Sequence, residues 1–153
     1  MSLPVTCRDL EIWRRLHARS PADGGDVAVL HALAALPISR RGPYLGAILE
    51  LCTHPDPALR AAAIGGLRGV RGVTGVRAIV AALADPATRD VALDALEKTA
   101  RSAPYRYAHA VFHPDPEVRR RAVPLTPPGA TELLAYLRAD PACAPLVRDA
   151  GWP

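Results

Sequence analysis

The sequence predicts an all-α fold, assembled from repeated helix pairs of about 30 residues each within a single domain over 1–153. Three observations carry that prediction. Of 153 residues, 29 are alanine and only 7 are aromatic. That composition suits helices, for which alanine has the best propensity, and disfavours sandwiches and barrels, whose strands call for β-branched and aromatic residues. Sixteen prolines and eleven glycines then punctuate many short helices. Finally, the string DPxxR recurs at Asp56 to Arg60, Asp85 to Arg89 and Asp115 to Arg119, in steps of 29 and 30 residues. Composition alone would place about 0.1 copies of it in the chain, so the repeat is genuine.

The elements follow in order. Residues 8–18 carry Leu10, Ile12, Trp13 and Leu16, an amphipathic helix that pairs with the next helix or caps the stack. Asp26, 30 residues before Asp56, starts a helix over 27–36 with Leu33 and Leu36 on its apolar stripe. Neither the proline nor the arginine follows it, which marks a degenerate unit. First-helix segments then lie over 44–51, 76–83, 105–112 and 132–137. Each leads through a tight turn into a second helix, starting near 56, 85, 115 and 140; the last keeps Asp140-Pro141 but has Ala144 for arginine. In every unit the aspartate reads as an N-cap, its carboxylate accepting free first-turn N–H groups, and the proline suits the first helical position. Counting from each aspartate, positions +3, +7, +8 and +11 form one helical stripe: Ala63, Ala92 and Ala122 at +7, and Ile64, Leu93 and Val123 at +8. Leu67 and Leu96 hold +11, where Thr126 breaks the rule. Gly65 to Gly75 and the segment Pro124 to Gly129 read as helix stops and linkers.

With their trailing alanines and aliphatics, the DPxxR units resemble HEAT repeats, in the short bacterial form found in phycobilin lyases. The resemblance covers about 26–151 and is strongest over 44–123. It implies an α-solenoid of stacked antiparallel helix pairs. It also implies an inter-repeat ladder of Asp56, Arg60, Asp85, Arg89, Asp115 and Arg119. The +4 arginine lies beside the +8 and +11 core positions and points toward the neighbouring unit, where a charge between packed helices must be paired.

Eighteen arginines and one lysine against 15 acids give a net charge of +4, a basic balance compatible with nucleic acid but not demanding it. Cys7, Cys52 and Cys143 are odd in number and widely spaced, which points to a reducing compartment rather than a disulfide framework. With no apolar run of spanning length and no apolar export segment in 1–15, the expected location is the cytoplasm, away from membranes. Cys52 with His54, and His109 with His113, stand at short spacings, but His54 and His113 occupy equivalent HPDP turns and share a turn role. No metal site, cofactor or catalytic constellation is expected; GxSxG, HExxH and CxxC are absent, and the glycine run lacks the lysine of a phosphate loop.

What remains is the exposed face of the second helices, positions +5, +9 and +12. It offers Asp90, Asp94 and Glu97 at its centre, Arg68 and Arg120 on either side, and Tyr105 and Tyr107 as aromatic anchors at its edge. The expected function is a non-enzymatic scaffold, adaptor or regulatory subunit that docks another protein, a basic helix or tail, on the concave face. Two alternatives are nucleic-acid binding of the HEAT-like DNA-glycosylase type, through Arg119, Arg120 and Arg121, and a bilin-lyase-type subunit.

Overall fold

The computed structural model describes residues 24–102, 105–106, 108–127 and 129–151. Among them the chain is all helical, without a strand. The helices are α1 (Gly24–Ala34), α2 (Ile38–Arg41), α3 (Leu45–Leu51), α4 (Pro57–Gly66), α5 (Val73–Ala82), α6 (Arg89–Ser102), α7 (Ala108–Val111), α8 (Pro116–Ala122), α9 (Thr131–Ala139) and α10 (Ala144–Asp149). Single 3-10 turns, Gly42–Tyr44 and Val123–Leu125, lead into α3 and out of α8. None of these helices is long and apolar enough to cross a membrane. The segment 8–18, Trp13 and Tyr107 lie outside the described residues.

Consecutive helices pack in pairs, α3 on α4, α5 on α6, α7 on α8 and α9 on α10. Between pairs, α4 lies against both α1 and α6, and α7 against both α5 and α9. The stripe explains these contacts. At +3, Leu59, Thr88 and Val118 are buried; at +7, Ala63, Ala92 and Ala122 are fully buried; at +11, Leu67, Leu96 and Thr126 are buried. Alanine at +7 lets α4 and α6 approach closely. A larger side chain there would overpack at about 1–3 kcal/mol, which is the physical reason for so much alanine and so little aromatic residue. Thr126 fits the stripe because its hydroxyl donates to the Ala122 carbonyl at 2.9 Å, leaving its methyl to the core.

Asp56 and Asp115 cap α4 and α8 from extended backbone, accepting the N–H groups of Ala58 and Glu117 at 2.9 Å, with Pro57 and Pro116 next in line. Asp85 and Asp140 accept the equivalent N–H groups of Ala87 and Ala142, also at 2.9 Å, yet their helices start four residues later, at Arg89 and Ala144. Intervening 3-10-like turns close through Thr88 N–H to Asp85 O and Cys143 N–H to Asp140 O. At the first site the Thr88 hydroxyl reaches back to the Ala82 carbonyl at 2.8 Å; at the second Pro145 removes an N–H from the opening turn. α1 likewise begins at Gly24, two residues ahead of Asp26.

Two glycines, Gly69 in the α4–α5 connection and Gly75 in the first turn of α5, are required by geometry. Gly69 has φ +77°, which side chains disfavour, and a Cβ on Gly75 would sit 2.9 Å from both γ-carbons of Val70. Arg41, only 7% exposed, closes the same region. Its Nε donates to the Leu36 carbonyl at 2.8 Å, and one terminal nitrogen donates to the carbonyls of Gly66 (3.1 Å) and Arg68 (2.7 Å). One guanidinium thereby satisfies carbonyls at the ends of α1 and α4. Burial, then the charge of Arg68, lowers its pKa.

Candidate interaction surface

The repeated arginines do different things in different units. Arg60 sends one terminal nitrogen to the carbonyls of His54 (2.9 Å) and Pro55 (2.8 Å), and its Nε and other nitrogen to Asp85 Oδ2 at 3.1 and 2.9 Å. Arg119 repeats this, with the carbonyls of His113 (2.8 Å) and Pro114 (2.7 Å) and Asp140 Oδ2 at 2.6 Å. Arg89 sends Nε to the Leu83 carbonyl at 3.1 Å and makes no ion pair with Asp115. Asp56 and Asp115 act as caps, without an arginine partner among the described residues. Each preceding histidine, His54 or His113, accepts the aspartate's own N–H through Nδ1 at 3.1 Å.

The charged residues of the second-helix face are occupied with one another. Asp94 pairs with Arg68 at 2.9 Å and with Lys98 at 3.8 Å, and Glu97 pairs with Arg101. Arg120 and Arg121 both pair with Glu117, at 3.1 and 3.0 Å, and Arg120 Nε also donates to the Ala142 carbonyl at 3.2 Å. Hydrogen bonds from Arg120 and then Arg121 hold the Glu117 carboxyl below its ordinary range. Asp90 is exposed and has no ion-pair partner among the described residues. The acidic centre is thus largely neutralised in place. Arg119, Arg120 and Arg121 are likewise all committed to carboxylates, at Asp140 and Glu117.

The two thiols among the described residues are muted; Cys7 lies outside them. Burial pushes Cys52 up to about 12, and burial followed by the Asp140 contact pushes Cys143 up to about 11, so both are protonated near neutrality. Among the described residues no three His, Cys, Asp or Glu side chains are grouped to hold a metal ion.

Aromatic side chains gather elsewhere. Tyr44 is buried, whereas Tyr105, Phe112 and Tyr136 are 78%, 55% and 45% exposed. Phe112 and Tyr136 meet edge-to-face, ring centres 4.7 Å apart at 68°. A groove of about 440 Å³ runs between Tyr105, Ala108 and Phe112 on one side and Gly129 to Leu133 on the other. A second, of about 380 Å³, lies between Phe112, His113 and Pro114 and the α9 residues Tyr136 and Ala139, floored by the Arg119–Asp140 pair. This aromatic ridge belongs to α7, α9 and the turns beside them. Tyr105 lines the first groove together with Phe112, and Asp90, Asp94 and Glu97 are not among its lining residues. Sequence reading placed Phe112 and Tyr136 inside first-helix segments; the available signal was Phe112's position, last before the HPDP turn, where α7 has already ended at Val111. Other depressions include an apolar one of about 360 Å³ between Ile38, Leu45, Leu49 and the start of α5, and one of about 410 Å³ bordered by Leu93, Glu117, Arg121 and Leu146.

No family model, curated protein or solved structure matches this chain.

Proposed function

We propose that this chain is a short HEAT-like α-solenoid that works without catalysis in the cytoplasm, as a scaffold, adaptor or regulatory subunit holding another protein. The paired packing of helices and the twice-repeated arginine reach from one unit to the next support the solenoid. The observation that carries the interaction reading is the aromatic ridge: three exposed aromatic side chains in one patch of a chain that has only seven. Contiguous exposed aromatic surface marks contact sites, and such side chains supply most hot-spot energy. The second-helix face, with Asp90 as its unpaired charge, is the other candidate surface; a basic partner there would have to displace Arg68 and Lys98 from Asp94.

Affinity capture from the host lysate tests both surfaces. A partner identified by mass spectrometry, retained by the native chain and lost by Phe112→Ala/Tyr136→Ala, is the expected result. Loss with Asp90→Arg/Asp94→Arg instead would move the contact to the second helices. Recovery of nuclease-sensitive nucleic acid, with no protein retained, would overturn the reading.

A further inference from the structure

Phe112 lines both grooves of the aromatic ridge and is therefore the wall between them. Tyr136 meets that wall edge-to-face, with ring centres 4.7 Å apart. The charges of the two grooves differ. In one, Arg119 and Asp140 neutralise each other. In the other, Glu132 is the one charged side chain among the described lining residues, exposed in the first turn of α9 and without an ion-pair or hydrogen-bond partner among the described residues.

Two adjacent grooves that share the Phe112 wall, one of them lined by the Glu132 carboxylate, set strong demands on an occupant. A helix needs one continuous apolar trough for its i, i+4 and i+7 side chains, and the Phe112 wall interrupts any such trough. An acidic segment is repelled by Glu132. A polyproline II segment meets each condition. It repeats every three residues, so successive proline rings fall into successive depressions, and it is already extended, so little entropy is lost on docking. A basic residue at one end can lay its guanidinium over the Tyr105 ring and face Glu132. The positive end of α9 softens the field of Glu132, so the charge gives direction more than affinity.

We propose that the ridge of Tyr105, Phe112 and Tyr136 docks a basic, proline-rich extended segment of a partner protein, its arginine or lysine end at Glu132. This rests on the protein-interaction reading above and names the chemistry of the partner.

The test is fluorescence anisotropy with a labelled peptide of Ala-Pro-Pro triplets ending in arginine. One control replaces every proline by alanine; a second replaces the arginine by glutamate. Saturable binding is expected, weakened at least about fivefold by either control and at least about tenfold by Phe112→Ala. Tyr105→Ala, at a site too exposed to unfold the chain, is expected to weaken it about threefold or more. Glu132→Gln should erase the preference for arginine over glutamate while keeping the need for proline, and Asp90→Arg/Asp94→Arg should change nothing. Equal binding of the all-alanine control, indifference to both aromatic variants, loss with the Asp90/Asp94 variant, or no saturable binding at millimolar protein overturns the proposal. If the peptide fails while a lysate partner is still captured through Phe112 and Tyr136, the interaction reading survives and the proline-rich chemistry falls.

Discussion

From Arg60 to Asp85, and again from Arg119 to Asp140, an arginine four residues past a capping aspartate bridges to the aspartate of the next unit. From Arg89 to Asp115 the same DPxxR string makes no such bridge. The residues before the aspartate account for the difference. Turns 54–57 and 113–116 read His-Pro-Asp-Pro. There the histidine Nδ1 ties down the aspartate N–H, and the carbonyls of His and Pro both take one terminal arginine nitrogen. The rest of the guanidinium is left free to face forward. The middle turn reads Leu83-Ala84-Asp85-Pro86, with Leu83 fully buried in the core. Arg89 gives its Nε, the nitrogen that Arg60 and Arg119 aim at an aspartate, to the Leu83 carbonyl instead. A five-residue motif therefore specifies the cap and the burial, while two residues outside it decide whether the arginine links units.

The comparison breaks first at its strongest joint. The Asp140 side chain is 10% exposed against 35% for Asp85, and besides Arg119 it accepts from Ala142 N–H and the Cys143 thiol. Arg119→Ala removes charge-assisted bonds from a carboxylate held largely out of water. The expected loss is about 2 kcal/mol, or about 4–8 °C in Tm by differential scanning fluorimetry. Arg60→Ala should lower Tm by about half as much, its partner being better solvated. Arg89→Ala should move Tm by no more than about 2 °C. A fall for Arg89→Ala as large as that for Arg119→Ala would mean that the two joints do not differ.

Acid titration sharpens the same ranking. The hydrogen bond from Arg119 holds the Asp140 carboxyl below its ordinary range, while at Asp85 the Ala87 N–H comes first and Arg60 second. A carboxylate whose pKa is lowered by folding contributes stability that is present above its unfolded value, near 4, and lost as pH falls below it. Native protein should therefore lose Tm steeply below about pH 4, and Arg119→Ala should lose it less steeply over the same interval. Parallel slopes would show that Asp140 is held mainly by its backbone contact.

Much of this arrangement was legible in the residues. The cap aspartates, the stripe at +3, +7 and +11 and the all-helical class rest on local chain geometry and burial periodicity, which a sequence displays directly. Asp85 and Asp140 were legible as caps but not as late starts, because Thr88 and Pro145 act through single hydrogen bonds gained or missing. Arg41 was illegible: it collects carbonyls from positions 36, 66 and 68, brought together only by packing. The edge-to-face contact of Phe112 and Tyr136 joins elements 24 residues apart and leaves no periodic trace. The face of Asp90, Asp94 and Glu97 was readable as acidic by position, but its neutralisation by Arg68, Lys98 and Arg101 depends on side-chain reach.

The smallest effect isolates the cause of the difference between joints. An imidazole accepts a hydrogen bond at Nδ1 only when that nitrogen carries no proton, so the bonds from Asp56 and Asp115 N–H place the ring proton of His54 and His113 away from Nδ1. His54→Ala/His113→Ala should lower Tm by about 2–4 °C by differential scanning fluorimetry. A double-mutant cycle between His54 and Arg60 decides whether the histidine aims the arginine forward. Should the histidine set the fork, the coupling of Arg60 to Asp85 will shrink toward that of Arg89 to Asp115 once His54 is gone; unchanged coupling would assign the difference to Pro55 and Pro114 alone.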